Sequence, residues 1–128
     1  MGRILTNAAI VAGILSLVSI SAPAAATGDV GKGKAVFQAQ CAMCHATVAS
    51  KNGIGPSLFG IVGRASATVP KYQYSSAMKA MRLTWTQAEL QAYLPAPAKM
   101  VRGTKMPYAG LSNPQQLGDL IAYLATLH

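Results

Sequence analysis

Cys41-Ala42-Met43-Cys44-His45 is the stretch whose residue types and spacing could do chemistry. Two thiols three residues apart, followed at once by an imidazole, form C-x-x-C-H, the pattern of covalent attachment of a c-type haem. On a helix, positions i, i+3 and i+4 share one face, so Cys41, Cys44 and His45 can converge on one flat ligand. The thiols would join the haem vinyl groups as thioethers, and the imidazole would bind the iron from one side. Three other uses of the motif are weaker. A thioredoxin-like C-x-x-C belongs in a βαβ setting and needs no histidine after it. Structural zinc wants four ligands, and His128 at the chain end is the only other strong candidate. A disulfide between residues three apart closes a tiny loop and constrains little.

Such a site needs elements to carry it. From Asp29, a good helix N-cap, the residues Val30, Gly33, Phe37, Cys41 and Cys44 recur at helical spacing. This helix delivers Cys41 to the ligand. Gly33 lies one turn before Phe37 on the apolar face, which predicts that another backbone approaches closely there. The stretch 46–70 has no period and is rich in Gly and Pro. A loop of that length in a small domain is usually functional, and it can wrap the edge of a disc, with Ile54, Leu58, Phe59, Ile61 and Val62 as apolar lining. Short helices are expected over 75–81, from the capping box at Thr86 to about Leu94, and from Pro97 through Val101. An irregular loop, 103–110, precedes a last helix opened by Asn113-Pro114. That helix runs through Leu117, Leu120, Ile121, Leu124 and Leu127 on one face. No run alternates at period two long enough for a strand. The expected class is all-α, wrapped around a ligand.

Composition sets further bounds. Met1-Gly2-Arg3 is a short positive start, 4–20 is almost wholly apolar, and Ala22-Pro23-Ala24-Ala25-Ala26 offers cleavage sites after Ala26 or Ala24. The run is interrupted by polar residues and is short for a membrane span. It reads as a cleaved signal peptide, 1–26, ahead of one domain, 27–128. The expected product is exported, soluble and periplasmic, with no stable membrane insertion. Cleavage after Ala26 leaves 102 residues, with ten basic side chains against Asp29, Glu89 and Asp119. That surplus favours acidic partners and salt-sensitive encounters. With no basic run and no Arg-rich stripe among aromatics, nucleic acid is not expected. A domain of this size has a thin core, and a covalently held apolar disc would staple it.

The segments GKAVFQAQCAMCH, GIGPSLFGIVGR, LTWTQAELQAYL, VRGTKMPYAGL and DLIAYL are similar, in order and spacing, to those of the small class I cytochromes c of the mitochondrial and bacterial long-loop type. The resemblance covers essentially all of 29–127. It implies a fold in which N- and C-terminal helices cross, and one haem c held through Cys41 and Cys44. It implies His45 as proximal and Met106 as distal iron ligand, a pair that leaves no open position and raises the reduction potential. Met43 lies inside the attachment motif, while Met78, Met81 and Met100 fit helical spacing as core filler. Pro56 matches the position whose carbonyl accepts from the proximal histidine; read alone it is a turn proline. Arg64, Tyr74 and Trp85 resemble the family's partners for the haem propionates. Without the family, Arg64 is a solvated charge and Trp85 a core aromatic. Tyr93 resembles the tyrosine near the methionine sulfur, and core packing is its plain alternative. Gly33, Phe37, Leu120 and Tyr123 match the helix crossing.

The departures are informative. Arg102 stands where mitochondrial members have proline, which loosens the Met106 loop. Met78 replaces a polar position in the pocket. Gln40, Gly53, Ala98, Ser112 and Asn113 occupy positions that carry lysine around the haem edge in mitochondrial members, while Lys99, Arg102 and Lys105 remain. The implied role is that of a monomeric carrier of single electrons, not an enzyme. It would dock transiently through the haem edge near Met43, Lys105, Tyr108 and Ala109 on an oxidase, reductase or dehydrogenase of a respiratory or photosynthetic chain. Two rivals are a haem with a labile sixth position that binds gases or peroxide, and a dedicated subunit of a larger redox complex.

Overall fold

The computed structural model describes Gly2 and residues 28–128; the expected signal segment, Gly2 apart, lies outside the described residues. Asp29 takes the Lys32 N–H on its side chain at 2.9 Å and opens helix α1, Val30–Gln40. α2 spans Ser76–Met81 from the Ser75 cap, α3 spans Gln87–Tyr93 from the Thr86 cap, and α4 is the single turn Pro97–Met100. α5, Pro114–Leu124, starts from Asn113, whose side chain accepts the Gln116 N–H at 3.0 Å. Among the described residues β-structure is limited to one isolated bridge, Ala65 to Thr84. The all-α expectation holds.

Packing is organised by the crossing of α1 on α5. A Cβ at Gly33 would overlap the Asp119 carbonyl and crowd the Tyr123 Cβ, so the two backbones touch, as the position of Gly33 on the apolar face requires. Just before α1, Gly28 meets the Gly118 carbonyl in the same way. Phe37 stacks obliquely on Tyr123, ring centroids 5.5 Å apart, and Leu117, Leu120, Ile121 and Leu124 complete the buried face of α5. Asp119, only 3 % exposed, sits at this crossing. Its carboxylate accepts the Asp29 N–H at 2.7 Å and the Gln115 side-chain amide at 3.0 Å. A buried carboxylate is tolerable only with such partners, and this one ties the start of α1 to α5.

Several expected boundaries shift. α1 ends at Gln40, and Cys41–Cys44 form a further turn outside the α-helix. The N–H groups of Cys41 and Ala42 both reach the Phe37 carbonyl, while those of Cys44 and His45 both reach the Cys41 carbonyl at 3.1 and 3.0 Å. The tightened turn keeps the i, i+3, i+4 relation that the motif needs. Val30, grouped with the apolar face, stays 44 % exposed. The capping box at Thr86 is half made: its hydroxyl accepts the Glu89 N–H at 3.1 Å, but its own N–H goes to the Thr84 carbonyl. α5 stops at Leu124, before Leu127, and the unwound end lets the Leu127 carbonyl accept the Gly60 N–H.

Candidate functional site

Between the crossed helices and the long loops lies a mostly apolar cavity of about 420 Å³. Cys41, Cys44, His45, Pro56, Arg64, Tyr74, Trp85, Tyr93 and Met106 all line it. Ile54, Leu58 and Ile61 line it from the 46–70 loop, whereas Phe59 and Val62 do not. The two cysteines are unbridged. Burial, with Cys44 alongside, pushes the Cys41 thiol up to about 11. Among the described residues no three His, Cys, Asp or Glu side chains gather as a metal site, which leaves the zinc alternative without its ligands.

His45 is held on two sides. Its Nδ1–H donates to the Pro56 carbonyl at 2.8 Å. A Cβ at Gly55 would collide with the imidazole Cε1, so this bare backbone lies directly against the ring. Nothing local in the sequence marks Gly55 for that role; its only signal is that it precedes Pro56. Burial lowers the His45 pKa, partly offset by the Pro56 bond, with Arg64 adding a smaller downward push. The result is a neutral imidazole with Nδ1 spoken for and Nε2 left to ligate, the form in which histidine binds metals.

At another part of the wall, the Arg64 guanidinium donates to the Phe59 and Ser57 carbonyls at 2.7 and 3.0 Å. Burial lowers its pKa, against a smaller opposing effect of Tyr74. The Tyr74 oxygen accepts the Val69 N–H at 3.2 Å. Trp85 is buried and stacks on Tyr93 at a centroid distance of 4.8 Å. Among the described residues no buried side-chain nitrogen or oxygen lacks a partner, and Trp85 is part of the cavity lining. A cation, a phenol and an indole on one cavity suit a ligand that carries carboxylates.

Met106 enters from the segment 101–113, which has no regular structure beyond turns. Its N–H donates to the Thr104 hydroxyl at 3.2 Å, and Lys105 Nζ reaches across to the Gln73 carbonyl at 3.0 Å. Burial raises the pKa of the Tyr93 phenol, and the Thr104 hydroxyl beside it works the other way. Met78 faces the same cavity from α2. Two straps close the opposite loop: Asn52 Nδ2 to the Pro70 carbonyl, and the Tyr72 phenol to the Ile54 carbonyl, each at 3.0 Å. The site as a whole offers an imidazole nitrogen, a thioether, two thiols and a carboxylate-binding corner around one apolar slot. These are the donors a covalent haem requires.

Comparison with known proteins agrees. The family model for cytochrome c matches residues 30–128. A cytochrome c2 from Rhodomicrobium vannielii is 47 % identical over 109 residues, covering 84 % of this chain and 86 % of that protein. A cytochrome c2 from Rhodopila globiformis is 45 % identical over 100 residues, covering 78 % of this chain and 94 % of that one. Among solved structures, cytochrome cH from Methylobacterium extorquens superposes with a TM-score of 0.72 at 43 % identity, over 77 % of this chain and 99 % of its own.

Proposed function

The chain belongs to the cytochrome c family, electron carriers with covalent haem c and not enzymes, and from that premise we propose how its own residues do this work. Cys41 and Cys44 would hold the haem through thioethers, and His45 and Met106 would supply the two iron ligands. The observation that carries this reading is His45: its Nδ1–H is fixed on the Pro56 carbonyl at 2.8 Å and its other nitrogen is free, in a cavity that Met106 also lines. The haem supplies a one-electron iron couple, which a histidine–methionine pair places at high potential. Pro56 fixes the tautomer and raises the basicity of the imidazole. Arg64, Tyr74 and Trp85 would take the propionates, and Tyr93 would stand by the Met106 thioether in the same cavity. The apolar walls keep water out, so little has to reorganise when the charge changes by one.

The setting follows from the same reading. We propose that 1–26 is a signal peptide, cleaved after Ala26 or Ala24, and that the mature domain is a periplasmic monomer. Among the described residues no helix is long and apolar enough to cross a membrane. Met43, 89 % exposed, lines the slot with Lys105 and Tyr108, and these residues, with Ala109 next in the chain, would meet respiratory or photosynthetic partners transiently. The test is the visible spectrum of the haem-loaded protein, ferric and ferrous, with carbon monoxide added to the ferrous form. A low-spin spectrum with a Met–iron charge-transfer band, unmoved by carbon monoxide, is the expected result. A ready shift with carbon monoxide would overturn the closed His45/Met106 site.

A further inference from the structure

Pro107 to Gly110, the four residues after Met106, make no main-chain hydrogen bond among the described residues. Before them the segment is fixed by the Thr104 N–H on the Val101 carbonyl at 3.1 Å and by the Met106 and Lys105 bonds described above. After them, main-chain bonding resumes only at Leu111, whose N–H reaches the Leu94 carbonyl at 2.9 Å. Between these anchors there is one polar tie. The Tyr108 phenol donates to the Gln40 amide oxygen at 2.6 Å, between residues 68 apart in sequence. Gln40 is the last residue of α1 and directly precedes Cys41, and both partners line the cavity.

We propose that the Tyr108–Gln40 hydrogen bond is a clasp that positions Met106, pinning its loop to the end of the helix that carries the attachment cysteines. The proposal rests on reading Met106 as the distal ligand. The bond is at the short end for O–H···O geometry. Gln40 is exposed, so water competes for both groups and the net preference for the closed form is modest. The loop can therefore open, and the clasp sets how often. An added ligand that displaces Met106 binds only the open form, so its apparent affinity follows the open fraction. Gln40 and Tyr108 are positioning residues that act through Met106.

The experiment uses the haem-loaded ferric protein titrated with imidazole, followed by the loss of the Met–iron charge-transfer band. Tyr108→Phe keeps the ring and removes the donor. Gln40→Leu keeps the bulk and removes the acceptor, and Gln40→Glu keeps an acceptor. Tyr108→Phe and Gln40→Leu should each tighten apparent imidazole binding roughly threefold to tenfold. The double variant should tighten no further than either single, because the two remove one shared bond. Gln40→Glu should return the affinity toward that of the parent. Parent-like affinity in both singles, or effects that multiply in the double variant, would overturn the clasp. A parent protein without the Met–iron band overturns the reading of Met106 and the clasp with it. A parent that has the band, with Tyr108→Phe unresponsive, removes the clasp alone.

Discussion

His45 and Met106 line one cavity, but the chain holds them by different means. Around His45 the constraints are local and largely main-chain. The turn after α1 bonds to itself through Cys41, the Gly55 N–H returns to the Cys44 carbonyl at 2.8 Å, and the next carbonyl, Pro56, fixes the ring. Around Met106, beyond the local bonds at Thr104, the constraints are side chains reaching over long separations: Lys105 to Gln73 and Tyr108 to Gln40. A wall made by main-chain bonds and a bare glycine has nowhere to go. A wall made by a few half-exposed side-chain bonds opens one bond at a time. The His45 side should therefore report on folding, and the Met106 side on ligand exchange and potential.

The largest break in this contrast is Met106→Ala. It should leave the haem attached through both cysteines, abolish the Met–iron band, admit carbon monoxide readily and lower the reduction potential sharply, since methionine ligation is what raises it. An unchanged potential by protein-film voltammetry would take Met106 out of the site. Next comes a pair of glycines, one per wall. Gly55→Ala drives a Cβ into the His45 ring, and overpacking of that kind should lower unfolding stability by about 3 kcal/mol in guanidinium titrations. Gly103→Ala meets only the Ala77 Cβ at an ordinary 3.5 Å and is strained by its φ of +90° instead. Its expected loss is about 1–2 kcal/mol, the usual penalty for a side chain in left-handed backbone. Equal losses at the two sites would erase the distinction.

How much of this was readable beforehand depends on the separation of the groups involved. Caps at Asp29, Thr86 and Asn113 act over three residues and leave a local mark, so those helix starts were legible. Gly33 announced the helix crossing because a residue without a side chain, set among apolar ones on a helix face, makes room for a second backbone. The C-x-x-C-H spacing and the family's segments pointed to nine cavity residues, and all nine line one cavity. What was missed is non-local. Asp119 read as one of three acidic residues, not as the buried acceptor of an N–H 90 residues away. Gly55 read as loop punctuation, and Gln40 as a lost cation, because its partner lies 68 residues on. Helix ends slipped at Cys41 and Leu124 because tight turns and tertiary bonds, not periodicity, stop those helices.

A smaller effect is expected from Thr104→Val, which keeps the shape and removes the hydroxyl that accepts the Met106 N–H. Loss of one neutral hydrogen bond is worth about 1 kcal/mol. It should appear as a few-fold tighter imidazole affinity with little change in the guanidinium midpoint. A shift confined to the midpoint would place Thr104 in the fold and not in the control of Met106.

The smallest expected effect concerns the outer faces of the two walls. The His45 side exposes apolar groups, with Ile54 at 71 % and Val48 at 58 % accessible. The Met106 side exposes Lys99, Arg102 and Lys105, and Lys105 is held in place by its bond to the Gln73 carbonyl. Surface charges act on encounter over roughly a Debye length, about 10 Å at 0.1 M salt. Oxidation of the ferrous protein by ferricyanide, an anion, should therefore slow as salt is raised, and Lys105→Ala should lower the low-salt rate and flatten that slope. Ile54→Ala should leave the slope alone, since it removes contact area and no charge. If the slope follows Ile54 and ignores Lys105, the encounter is governed by the apolar His45 side, and the partner it evolved for is not chiefly acidic.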